Sequence, residues 1–169
     1  MRKLLAYAAL LILIGCRGGQ RDPRTVVFLI ESSPANLDPR IGTDAQSERI
    51  SALIFDGLVD HDASFNFTPA LAQSWDQPNP LTFVFHLRSG VRFHDGRPFT
   101  AQDVKWTIDS MRNGTVISAK STVFASLDSI EVRDPLTVVF HLKHADNFLL
   151  RNLATGSTGI VPDGSGRDF

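Results

Sequence analysis

Five histidines, His61, His86, His94, His141 and His144, are the residues best suited by type to bind a metal or move a proton near neutral pH. Structural and catalytic zinc sites use recurring short spacings, such as two histidines four apart on a helix or paired cysteines, and none of these histidines has such a partner. His141 and His144 are the nearest in sequence, but their odd spacing puts them on opposite faces of a strand. His94-Asp95 has the composition of an acid-base pair. Its setting, Phe93-His94-Asp95-Gly96-Arg97-Pro98, reads instead as a turn in which Asp95-Gly96 supplies the special backbone geometry. Neither a G-x-S-x-G nucleophile elbow nor a G-x-x-x-x-G-K-[ST] phosphate loop occurs, and the carboxylates are scattered without a catalytic spacing. The sequence therefore supports no enzyme, no metal site and no cofactor.

One further reactive side chain is the only cysteine, Cys16. It excludes an intramolecular disulfide, and its position is more informative than its number. Arg2-Lys3 begins the chain with positive charge, residues 4–14 form an apolar run, and Gly15-Cys16 follows where a signal peptidase would cut. A spanning helix needs roughly 20 apolar residues, so the run is too short to cross a bilayer. Leu13-Ile14-Gly15-Cys16 resembles the bacterial lipobox, in which the cysteine is acylated and becomes the first mature residue. The expectation is a signal peptide over 1–15 and a lipidated, flexible tether over 16–24, where Gly18-Gly19 and Pro23 accompany only polar or charged residues. Seventeen Lys plus Arg against eighteen Asp plus Glu give a net charge of −1, without the excess positive charge that a nucleic-acid partner requires.

The elements that must carry any site begin at Thr25. Thr25-Val26-Val27-Phe28-Leu29-Ile30 is a β-branched and aromatic run of the kind that forms a strand buried on both faces. Thr43 with Gln46 fits a capping box, and Ile50, Leu53 and Ile54 share one face of a predicted three-turn helix ending at Asp56-Gly57. Leu58-Val59 is extended, residues 69–75 suit a short helical turn, and Gln77-Pro78-Asn79-Pro80 is a turn signal unsuited to either regular element. Leu81-Thr82-Phe83-Val84-Phe85-His86-Leu87 alternates as a strand, and Leu136-Thr137-Val138-Val139-Phe140-His141-Leu142 repeats it almost letter for letter. The simplest reading is two strands of one sheet, each with a buried face, on which His86 and His141 take hydrogen-bonded or solvated positions. Between them Thr100 caps a helix with Asp103 at its third position and Val104, Ile108 and Met111 as its apolar stripe, and Asn113-Gly114 ends it. Residues 126–132 suit another strand, and glycine, serine and threonine dominate beyond Leu153. The fold class is α+β.

Two long strings identify a resemblance: Pro69-Ala70-Leu71-Ala72-Gln73-Ser74-Trp75, and the run from Phe83 through Phe93-His94-Asp95-Gly96-Arg97-Pro98-Phe99-Thr100-Ala101-Gln102-Asp103-Val104. They closely resemble family 5 of the extracellular solute-binding proteins, the peptide- and nickel-binding lipoproteins of ABC importers. Leu37-Asp38-Pro39, Phe55-Asp56-Gly57-Leu58-Val59 and Ile160-Val161-Pro162 match family landmarks in the same order. The resemblance implies a type II, two-lobed binding fold that closes around a peptide or other small solute and delivers it to ABC permease subunits. Residues 25–169 would be part of the N-terminal lobe, exported to the bacterial cell envelope and anchored through acylated Cys16. The segment holding Glu31, Ser32, Ser33 and Asn36 resembles the family segment that approaches the cleft, where exposed backbone can pair with an extended peptide. A plain connecting loop is the competing reading of that segment. Family members continue past Ile160-Val161-Pro162 into a second lobe that this sequence lacks, so the chain is expected to be a truncated fragment. A stand-alone envelope interaction or structural lipoprotein is the alternative.

Overall fold

The computed structural model describes residue 22, residues 24–154 and residues 158–166. The chain divides into two units, Met1–Glu31 and Ser32–Phe169. Cys16, the predicted signal peptide over 1–15 and most of the predicted tether lie outside the described residues. No helix among the described residues is long and apolar enough to cross a membrane.

Described by itself, the first unit corrects one expectation. Residues 25–30 form no strand, and Val26, Phe28 and Leu29 are exposed, Leu29 to 95%. Sequence propensity alone does not make a strand, because its N–H and C=O groups need a ladder partner, and no described strand pairs with this run.

The second unit is built on a four-stranded antiparallel sheet of β3 (Ala72–Asn79), β4 (Thr82–Leu87), β5 (Leu127–Asp134) and β6 (Thr137–Leu142), in the order β3-β4-β6-β5. The two near-identical heptapeptides are its central strands. They lie antiparallel in register, with Phe83 opposite Phe140 and Phe85 opposite Val138. One face carries Phe83, Phe85, Leu87, Val138, Phe140 and Leu142 into the core. The 12-residue helix α2 (Ala101–Arg112) covers that face with Val104, Ile108 and Met111, as the stripe predicts. Its start is fixed by Asp103, whose Oδ2 accepts hydrogen bonds from the Thr100 amide at 2.7 Å and hydroxyl at 2.9 Å. A small hairpin of β1 (Val59–His61) and β2 (Phe67–Pro69), the short helix α1 (Ala45–Ser51), a 3-10 turn (Ala119–Phe124) and the terminal helix α3 (Leu149–Leu153) complete the unit.

Three local expectations are revised. Residues 72–75 belong to β3 rather than to a helical turn, and β3 continues through Gln77-Pro78-Asn79. Pro78 is tolerated because β3 is an edge strand and the proline falls where the register shifts between Asp76 and Asn79. Helix α1 is capped by Asp44 instead of Thr43, and it ends at Ser51 before a third turn forms. The ionised Asp44 carboxylate accepts from the Ser47 amide at 3.0 Å, a stronger cap than a hydroxyl supplies. The buried side of α1 is consequently polar, with Gln46, Ser47 and Ser51 inward, whereas Leu53 is 65% exposed.

Candidate functional site

The loop after the first unit is held by α1 through a series of single hydrogen bonds. Asp44 Oδ2 accepts from the Ala35 amide at 3.3 Å, Ser47 Oγ from the Asn36 amide at 3.1 Å, and Ser51 Oγ donates to the Leu37 carbonyl at 3.2 Å. Asn36 Oδ1 in turn accepts from the Asp38 amide at 2.8 Å. Of the four sequence-predicted cleft residues, Asn36 is thus tied into the fold, while Glu31, Ser32 and Ser33 remain exposed and have no hydrogen-bond partner among the described residues. The Ala35 and Asn36 amides are thus already occupied within the fold.

Gly42 makes this arrangement possible. A Cβ there would collide with the Asn36 carbonyl oxygen of the loop and stand 2.7 Å from Ser47 Cβ on α1. Gly42→Ala is therefore expected to push the loop off α1 and cost about 1–3 kcal/mol, the range for overpacking. Urea titration of the variant checks this, and an unchanged midpoint would refute the contact.

The strongest feature of the loop is one that sequence reading missed. Arg40 is 1% exposed. Its Nη2 and Nε lie 2.7 and 3.0 Å from Asp38 carboxylate oxygens, Nη1 donates to Ser110 Oγ at 3.2 Å on α2, and Nη2 also reaches the Ser165 carbonyl at 3.2 Å. Around it Ser118 Oγ donates to the Arg40 carbonyl, and Lys120 Nζ to the Pro39 carbonyl at 2.7 Å. Burial holds the Lys120 ammonium below its ordinary value, against the pull of Glu48 and Asp38. Asp38 and Arg40 therefore form a largely buried charged node joining the loop, α2 and Ser165. Its only signal in sequence was the landmark Leu37-Asp38-Pro39, which carries no hint of the arginine's burial.

His94 and Asp95 make no acid-base pair. Asp95 accepts from the Arg97 amide at 3.0 Å and from its Nε at 2.7 Å, and Gly96 sits at φ +87°, a conformation that favours glycine. Arg92 Nη1 closes the turn on the Gly96 carbonyl at 2.8 Å. This turn borders an apolar hollow of about 300 Å³ walled by Phe55, Leu71, Phe93, Phe99, Ile160 and Pro162, so four of the five strings that carry the resemblance meet there. His86 and His141 take matching places on the other face of the sheet, with Nε2 3.0 Å from Asp76 and 3.1 Å from Glu131. No cluster of three metal-ligating side chains exists among the described residues.

Several surface carboxylates are held below their ordinary values. For Asp44 the chief cause is the Ser47 hydroxyl, for Asp62 the Asn66 side chain, for Asp95 the Arg97 amide, and for Glu131 the His141 ring. A carboxyl more acidic in the folded than in the unfolded chain stabilises the fold above its unfolded value and loses that contribution as pH falls through the folded one. The melting temperature is expected to stay level from neutral pH to about pH 5 and to fall below about pH 4. A melting curve that rose on acidification would contradict this.

Comparison with known proteins gives a consistent picture. The family model for bacterial extracellular solute-binding proteins, family 5 Middle, matches residues 66–168. The glutathione-binding protein GsiB of Pectobacterium atrosepticum is 31% identical over 132 residues, covering 78% of this chain and 26% of that one. NikZ of Campylobacter jejuni, solved with Ni(L-His), aligns with a TM-score of 0.69 at 31% identity over 79% of this chain and 26% of its own. The oligopeptide-binding protein AppA of Bacillus subtilis, solved with a nonapeptide, aligns with a TM-score of 0.68 at 28% identity over 74% and 25%. The chain spans about a quarter of the length of the relatives it matches. Its mixed α/β fold is part of a lobe of the type II periplasmic binding proteins.

Proposed function

The chain belongs to the bacterial extracellular solute-binding proteins of family 5, and from that premise we propose that it serves as the substrate-binding component of an ABC importer for peptides or similarly small solutes. The observation that carries this is the match over residues 66–168, which contains the whole sheet and α2. Relatives that bind glutathione, a nickel-histidine complex and a nonapeptide share this part of the fold, so it is scaffold common to several ligand classes. Specificity is accordingly assigned to residues outside it. Within this chain the segment with Glu31, Ser32, Ser33 and Asn36 is proposed to stand nearest the solute, where the exposed backbone ahead of Ala35 adds to an extended peptide as a strand. The protein is proposed to act at the outer face of the bacterial envelope, held there by acylated Cys16, where it meets the permease subunits.

The test uses the native envelope protein captured by antibody against residues 25–169, because these residues cover about a quarter of the relatives. Calorimetry with glutathione, a mixed peptide library and Ni(L-His) is expected to give saturable heat with one class, and silence with all three would overturn the reading. Cys16→Ser is expected to move the protein from the membrane pellet to the soluble fraction and to abolish incorporation of labelled palmitate. Retention in the pellet would remove the anchor.

A further inference from the structure

The sheet has two edges, β3 and β5, and an edge presents unpaired backbone groups that invite pairing with another chain. Each edge strand carries two register shifts, but only β3 contains a proline, Pro78, which lacks an amide hydrogen and withdraws the invitation there. Strand β5 contains no proline and runs eight residues, Leu127-Asp128-Ser129-Ile130-Glu131-Val132-Arg133-Asp134, with the branched apolar side chains Ile130 and Val132 two apart. It is the edge with the greater capacity for strand addition. Three of its carbonyls are nonetheless occupied, and from the same helix. Lys105 Nζ donates to the Ile130 carbonyl at 2.9 Å, and Arg112 Nη2 to the Leu127 carbonyl at 2.7 Å and the Asp128 carbonyl at 3.0 Å. Between them Asp109 holds both cations, with Oδ2 2.7 Å from Lys105 Nζ and Oδ1 3.0 Å from Arg112 Nη1.

An ordinary solvated ion triad on a helix surface would direct its charges to water. Here the spacing of four and three residues along α2 places two cations over one strand, with the shared carboxylate fixing both, and each cation also donates to main-chain oxygen of β5. We propose that Lys105, Asp109 and Arg112 form a guard that keeps the β5 edge from pairing with the β5 edge of a second copy of this chain. The guard occupies acceptors that an incoming strand would need, and it sets two long charged side chains where that strand would lie. The sequence of β5 suits self-recognition, because antiparallel pairing about Val132 sets Glu131 of each copy against Arg133 of the other.

The test compares the unsubstituted chain with the Lys105→Ala/Arg112→Ala double variant by sedimentation equilibrium, with far-UV circular dichroism to follow α2. The expected result is a self-association constant raised at least about tenfold, the response to losing more than one charge-assisted hydrogen bond. Adding Asp128→Pro to the double variant places a proline at the β5 bulge, as Pro78 sits at that of β3, and is expected to return association to the starting level. The exposed run of residues 25–30 is present in every variant and cancels in the comparison. Equal association with and without the two cations would overturn the proposal, as would association that Asp128→Pro leaves untouched. Should the double variant lose its helical signal, Asp109→Asn is read in its place, with a smaller rise expected and no rise counting against the guard.

Discussion

Arg40→Met is expected to destabilise the fold by about 3–5 kcal/mol, the range seen when one partner of a buried ion pair is removed. The reasoning rests on what the substitution leaves behind. Asp38 keeps its charge and is mostly covered, Ser110 Oγ loses a donor, and the Ser165 carbonyl is left with Trp106 Nε1 at 3.3 Å. An exposed pair of the same geometry would contribute no more than about 1 kcal/mol, so the measured value separates a buried node from a surface contact. Because domains of this size are stable by only about 5–15 kcal/mol, the variant is expected to unfold at a much lower urea concentration. Replacing both partners, Asp38→Asn with Arg40→Met, is expected to cost less than the sum of the single changes, since no uncompensated charge remains. Additive losses would show that the two side chains do not act as a pair.

What the sequence revealed and what it concealed follow from the range of the interactions involved. The heptapeptides around Phe85 and Phe140 and the Val104, Ile108, Met111 stripe were legible because period-2 and period-3.6 patterns register local burial. The His94-Asp95 turn was legible because its partners, Arg92 and Arg97, lie within three residues of it. Pro78 misled because tolerance of proline in a strand depends on which strand forms the edge, a property of sheet order. Residues 25–30 misled for the same reason, since strand-forming composition says nothing about the presence of a partner. Helix α1 inverted its expected face because Ser47 and Ser51 turn inward to bind the loop. Arg40 was invisible because its partners at Ser110 and Ser165 lie 70 and 125 residues away, and nothing local distinguishes a buried arginine from a solvated one.

Phe140→Ala is expected to have an effect of similar size, about 3–5 kcal/mol, through the cavity left in a core that cannot collapse around it. Phe140 is fully buried on β6, between β4 and β5, and its ring lies 5.1 Å from that of Phe85 at an interplanar angle of 59°. Neighbouring strands hold both sides of the site, so relaxation is resisted, whereas Leu81→Ala, at a position 42% exposed, is expected to cost under about 1 kcal/mol. The consequence extends to residues 160–163. The sheet seats α2, and α2 holds residues 160–163 through Thr107 Oγ1, which accepts from the Val161 amide at 3.0 Å, and Asp103 Oδ1, which accepts from the Asp163 amide at 2.8 Å. Hydrogen exchange at those two amides is therefore expected to accelerate in Phe140→Ala as much as exchange within β6, because both open only with the sheet. Protection that survived at Val161 and Asp163 while β6 exchanged faster would show that the segment beside Arg40 is anchored independently of the core, by the charged node alone.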